Sequence, residues 1–260
     1  MRPGNFSGSI PLFRLFGINV YLHWMWFLVV AILVQVRSSN TGMSSWQALG
    51  DLVGLFAIVL AHEFGHALAC KSVGGTANTI VLWPLGGVAF VKPPPRPGAF
   101  LWSLVAGPLV NVLLIPILGA IVIATNVGLQ DLSHWSSTLF IINIVLLVFN
   151  MLPIYPLDGG QILQCLLWYV VGYVKSLLIA AFVGLVVGII GGLAALFTRE
   201  PWLVVMAVFI VWQAWNGFRT ALYLAKLQKQ QRQQAPTVPF EVDYHLPPPP
   251  AERQLPDEYN

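Results

Sequence analysis

The chain has 260 residues, of which 57% are hydrophobic and only 9% charged, with a mean hydropathy of +0.75. A soluble domain of this length carries roughly a quarter charged residues, so composition excludes an ordinary soluble protein and points to an integral membrane protein. The net charge of +3 implies no nucleic-acid partner, because basic loops on the cytoplasmic side of a membrane account for it.

Taken in chain order, apolar runs at Ile18 to Val36, Gln47 to Cys70, Phe100 to Ala124, Ser137 to Leu152, Val174 to Phe197 and Trp202 to Leu224 predict six membrane helices of roughly 16 to 25 residues. The first run is long and lacks a small-residue cleavage pattern after it, so it is expected to stay in the membrane as a span. Thr76 to Val91 is apolar and rich in β-branched residues, but Pro84 and Gly86-Gly87 interrupt it. It is too broken to span as a helix and predicts a small β-hairpin associated with the membrane; the bland alternative is a surface loop. Lys92 to Gly98 follows as a stiff proline-rich connector. From Gln228 to Asn260 the composition turns to Gln, Pro and charge, which predicts a disordered tail after a membrane domain over residues 1–227. The predicted fold is thus an all-α polytopic membrane protein with one small hairpin after the second helix, and no appended folded domain is expected in the tail.

All Lys and Arg residues except Arg37 and Arg199 fall on one side of this six-span topology. The excess of basic residues places both termini in the cytoplasm, most naturally at the cell membrane. Ten Trp and seven Tyr need no cofactor, since interfacial belts and packing explain them. Cys70 and Cys165 form no disulfide framework and have no metal-ligand spacing, so both are expected to be structural thiols.

Within the second apolar run, His62-Glu63-Phe64-Gly65-His66 has the pattern H-E-x-x-H. On a helix, residues four apart share a face, so both imidazoles can grip one Zn²⁺ while Glu63 stands beside them as a candidate base. Ionisable groups in spans are costly and are functional by default. Of the acids, Asp51, Glu63 and Asp158 fall at or in the membrane region. Asp51 lies near the start of its helix, where an acidic residue favours the dipole. Asp158 follows another inward-running span, at the depth of His66, which is expected about 8 Å of helix rise from the cytoplasmic end of its helix. Two histidines and one carboxylate make three protein ligands and leave a fourth position for water, as catalytic zinc requires. Prolines and glycines around Asp158 predict an unwound segment that aims its carboxylate sideways.

These motifs resemble those of the site-2 proteases, a family of intramembrane zinc metalloproteases. His62 to His66 is similar to the family's zinc helix, and Asn150 to Gly160 to its N-x-x-P-x-x-x-L-D-G segment, whose aspartate is the third ligand. Leu85-Gly86-Gly87 resembles the short hairpin after the zinc helix, and Ala106 to Asn111 the A-G-P-x-x-N motif. The resemblance implies six spans, one zinc per chain on His62, His66 and Asp158, catalysis by Glu63, and single-span membrane proteins as substrates; the PDZ and CBS domains of some members have no counterpart among these motifs. Asn111 and Asn150 are the amides best placed to donate to an oxyanion, or to make interhelical hydrogen bonds instead. His23, at the cytoplasmic end of the first span, is a weaker candidate for either role. The competing readings are a membrane transporter that carries zinc on the same ligands and a relative that binds membrane segments without cutting them.

Overall fold

The structure, a computed structural model, describes residues 8–41, 44–83, 86–128, 130–198 and 201–234. The chain opens with two strands, β1 (Ser9–Leu15) and β2 (Ile18–His23), before the first helix α1 (Met25–Thr41). The long helix α2 (Ser45–Ser72) follows, then β3 (Thr76–Trp83), β4 (Gly86–Lys92), α3 (Pro97–Gly128) and α4 (Gln130–Asn150). Three further helices complete the described residues: α5 (Asp158–Val171), α6 (Tyr173–Ala195) and α7 (Pro201–Gln234). Five helices, α2, α3, α4, α6 and α7, are long and apolar enough to cross a membrane, and the shorter α1 is apolar over Met25–Val36.

The predicted hairpin is present as β3 and β4, although its turn, Pro84 and Leu85, lies outside the described residues. It is half of a larger element: the strand order is β1-β2-β3-β4, with β2 parallel to β3 and the two outer pairs antiparallel. The mostly helical fold with a small β element is as expected, with β1 and β2 added to the hairpin, while the start of the first span is corrected, because Ile18–His23 is strand and the helix begins at Met25. The cause is local. Phe16 and Gly17 both have positive φ, 50° and 73°, which makes the two-residue turn that matches strand twist and folds β2 back on β1. Ile18, Val20, Ile80 and Leu82 then bury one sheet face against Ala67 and Cys70 of α2 and Trp26 of α1.

Helix α2 starts from a capping box, in which the Gln47 N–H donates to Ser44 Oγ at 3.2 Å and the Ser44 N–H donates to Gln47 Oε1 at 3.2 Å. This satisfies two of the orphan donors at its N-terminus. It ends where Gly74, at φ +83°, turns the chain into β3. Its 28 residues span about 42 Å. Gly65 lies against α3, where an added Cβ would meet the Ala106 carbonyl oxygen at 2.5 Å; small residues allow this close approach of two membrane helices.

Two further differences concern the C-terminal half. Asp158–Val171 forms α5, a helix of 14 residues that the span pattern omits, since it is too short to cross a bilayer. Helix α7 continues to Gln234, so the first seven residues of the segment expected to be disordered are helical; residues 235–260 lie outside the described part.

Candidate metal centre

Residues 151–157 leave the helical path between α4 and α5, as the prolines predict, and Asp158 is the first residue of α5. Gly159 and Gly160 are buried directly on this segment: side chains there would strike the backbone of Met151 and Leu152, and of Ile154 and Tyr155. The paired glycines therefore let the start of α5 lie flat on the loop, and Asp158 reaches back to α2. Its Oδ2 lies 3.0 Å from His62 Nε2 and 3.3 Å from His66 Nε2, and the two Nε2 atoms are 3.0 Å apart. Tetrahedral zinc with bonds of about 2 Å needs donor atoms ~3.3 Å apart, so the spacing fits. His62, His66 and Asp158 are the three residues that make up the metal-competent group among the described residues.

The other ring nitrogens decide what these atoms present. His62 Nδ1 lies 2.6 Å from Asn111 Oδ1, and His66 Nδ1 lies 2.8 Å from the Ser103 carbonyl oxygen. Both oxygens only accept, so each Nδ1 carries a proton, and in the neutral imidazole each Nε2 presents a lone pair. Asn111 is itself fixed, since its Nδ2 donates to Asn143 Oδ1 at 2.8 Å and Asn143 Nδ2 donates to the Asn111 carbonyl at 2.9 Å. With no imidazole proton left to share, the Asp158 Oδ2 is a buried acceptor without a hydrogen-bond donor. With both imidazoles neutral, three buried acceptors therefore face one another. Such a cluster is costly unless a cation occupies its centre, and nitrogen with carboxylate oxygen is the donor set of zinc.

Gly107 completes the enclosure. A Cβ on this residue of α3 would collide with the His66 ring and lie 2.9 Å from His62 Nε2, so the glycine supplies the space beside the donor atoms. Glu63 is buried at 8% exposure and does not join the three donors; its Oε2 accepts the Ala89 N–H of β4 at 2.9 Å.

The remaining expectations divide. Asn111 touches a site residue, but its amide nitrogen is engaged by Asn143, so its position is that of an orienting partner of His62. Asn150 is the half-buried last residue of α4. His23 is buried at the end of β2 and stacks on Trp83 with ring centroids 4.1 Å apart, and is not one of the three donors. Asn143, Ser103 and the Ala89 main chain were not anticipated. A polar side chain in an apolar span is the signal that Asn143 and Ser103 carry; a main-chain donor carries none. Replacing Asn111 with Ala is expected to weaken zinc binding about 10- to 100-fold by releasing the His62 ring, measurable by competition with a chelator.

A bundle of apolar helices whose own residues bring two imidazoles and a carboxylate together inside it defines an integral membrane protein built to hold a metal. Residues 116–191, which include Asp158, match the model of peptidase family M50. The fold is similar to that of the site-2 protease from Methanocaldococcus jannaschii, with a TM-score of 0.61 and 28% identity, covering 81% of this chain and 95% of that one. A zinc metalloprotease of the same organism is 32% identical over 212 residues, 79% of this chain and 59% of that protein. A Synechocystis relative is 30% identical over 234 residues, 83% of this chain and 61% of its own length. The chain thus spans about 60% of the length of these two relatives. It belongs to the site-2 protease family, peptidase family M50, a family of membrane zinc metalloproteases.

Proposed function

We propose that this chain is an intramembrane zinc metalloprotease that hydrolyses peptide bonds in or near the transmembrane segment of single-span membrane proteins, as a step of regulated intramembrane proteolysis. The observation that carries the proposal is the convergence of two Nε2 lone pairs and the unpartnered Asp158 Oδ2, with Glu63 next to His62 in the same helix. His62, His66 and Asp158 would hold one zinc ion, which when bound polarises the substrate carbonyl and brings its water's pKa near neutrality. Glu63 takes the proton from the attacking water and later returns it to the leaving amine. Asn111 and Ser103 hold the imidazoles in the required tautomer. Because the Asn111 amide is occupied, Asn150 is the better amide for the oxyanion.

A transmembrane substrate is helical, with its peptide bonds hidden in its own hydrogen bonds, and must unwind locally before attack. The outer edge of β4 offers main-chain groups to such an opened segment, which adds as a strand. Helix-breaking residues near the cleavage site follow as a substrate feature. The termini are cytoplasmic in this reading, and the metal sits on the cytoplasmic side. Water reaches it between the spans, and a cavity of about 280 Å³ beside the Asp158 loop, lined in part by Tyr155, Gln161, Gln164, Gln213 and Asn216, offers a polar path.

The test is zinc per chain in detergent-purified protein, with cleavage of a single-span substrate in liposomes. Near one zinc and cleavage are expected for wild type, with both lost in His62→Ala and Asp158→Ala. Zinc kept without either residue would overturn the ligand assignment. Zinc bound and carried across the bilayer without cleavage would favour a transporter.

A further inference from the structure

The contact between Glu63 and Ala89 joins the two halves of the proposed machinery, the base and the strand edge. β4 is the last strand of the sheet, so one of its edges has no strand beside it among the described residues. Successive residues of an antiparallel strand point their main-chain groups alternately toward the partner and away from it. Because the Ala89 N–H reaches Glu63 on α2, Ala89 points away from β3, and Gly87, two residues earlier, shares that open edge. Glu63 can lie against the strand only because Gly87 has no side chain: a Cβ there would fall on the Glu63 side chain, 2.7 Å from Oε1. The neighbouring Val88 and Phe90 are 45% and 47% exposed, which leaves apolar surface on both sides of the contact. A single carboxylate oxygen thus occupies a position on the open edge where an added strand would place a carbonyl oxygen.

We infer that Glu63 is a stand-in strand partner for β4, and that an incoming substrate strand takes over the Ala89 N–H and releases Glu63 to act as the base. This inference rests on the proposed protease reading and deepens it. An added strand and Glu63 need the same donor, and one N–H makes one good hydrogen bond. Docking of the substrate and release of the base are then one event, so an undocked site keeps its base engaged on the sheet. Ala89 is a positioning residue that acts through its main chain.

Two measurements test this. The first is amide exchange at Ala89 in purified protein, which needs no activity. Ala89 is expected to exchange at least tenfold faster in Glu63→Ala than in wild type, with Val88 and Phe90 unchanged; no change, or equal acceleration of all three, would overturn the contact. The second uses Ala89→Pro, which deletes the N–H on an edge where proline is tolerated. Zinc content reports whether the site has folded. If the ring disturbs it, replacement of Ala89 by lactic acid deletes the same N–H without a ring. The expected result is a KM at least tenfold higher for a single-span substrate, with kcat kept, and unchanged or faster cleavage of a tripeptide too short to pair with β4. A fall in kcat for both substrates would make the N–H a fixed anchor of Glu63 and overturn the hand-over, as would no effect on either. Wild type that binds zinc but cleaves neither substrate would overturn the protease reading and the hand-over with it, whereas the exchange result would still decide the contact by itself.

Discussion

Glu63→Gln is expected to bind zinc at the wild-type level and to cleave a single-span substrate about 10²- to 10⁴-fold more slowly, the range that a positioned general base contributes. Glu63 is separate from the three convergent donors, so removing its charge takes no ligand away. Gln has nearly the same shape and keeps a side-chain carbonyl oxygen. The hydrogen bond from the Ala89 N–H therefore survives, and the space that Gly87 leaves for the side chain is filled as before. What is lost is the ability to accept a proton from water. Zinc content by elemental analysis, beside the cleavage rate in liposomes, checks both halves. Loss of zinc in Glu63→Gln would make Glu63 a ligand and return Asp158 to a supporting role.

The parts of this molecule that were legible in the sequence are those whose signal is local. H-E-x-x-H needs only the helical period, and α2 supplies it without interruption. The β3-β4 hairpin was legible because Pro84 and Gly86-Gly87 break an apolar run that hydropathy alone would have made a helix. Ile18 to His23 reads as part of the first span for the converse reason. No break separates it from the apolar residues of α1, so continuity outweighed the turn signal of Phe16-Gly17 and the alternating burial of β2. The parallel pairing of β2 with β3 joins strands about 60 residues apart, and nothing in either strand encodes a partner at that distance. Helix α5 is hidden because its 14 residues fall below the length of a span, although Asp158-Gly159-Gly160 marks its start. In the site, the ligands carry their chemistry in their side chains and can be found by type. The groups that orient them are less visible: Asn111 stands out for its amide, which makes the interhelical hydrogen bond that was its second reading, whereas the Ser103 carbonyl and Ala89 N–H belong to every residue type alike.

Gly107→Ala is expected to abolish stable zinc binding, with occupancy falling at least tenfold, while the chain remains folded. The added methyl group would occupy the space of the His66 ring and press on His62 Nε2 at 2.9 Å, the two atoms groups whose lone pairs define the site. Neither ring can retreat freely. His62 is tied through Nδ1 to Asn111, His66 through Nδ1 to Ser103, and both rings are buried. Overpacking of this kind costs about 1–3 kcal/mol, whereas Gly to Ala in the interior of a helix returns about 1 kcal/mol. The net effect on stability is small beside the effect on donor geometry, so metal loss and unfolding separate. Gly119→Ala on the same helix is the control, because its Cβ would meet only Phe140 at an ordinary 3.6 Å; it should keep both zinc and the thermal transition. Zinc retained in Gly107→Ala would mean that α3 shifts away from α2 to admit the methyl group. The close approach of Gly65 to the Ala106 carbonyl would then be a flexible seam, and the tautomers held from α3 would not be what fixes the donor set.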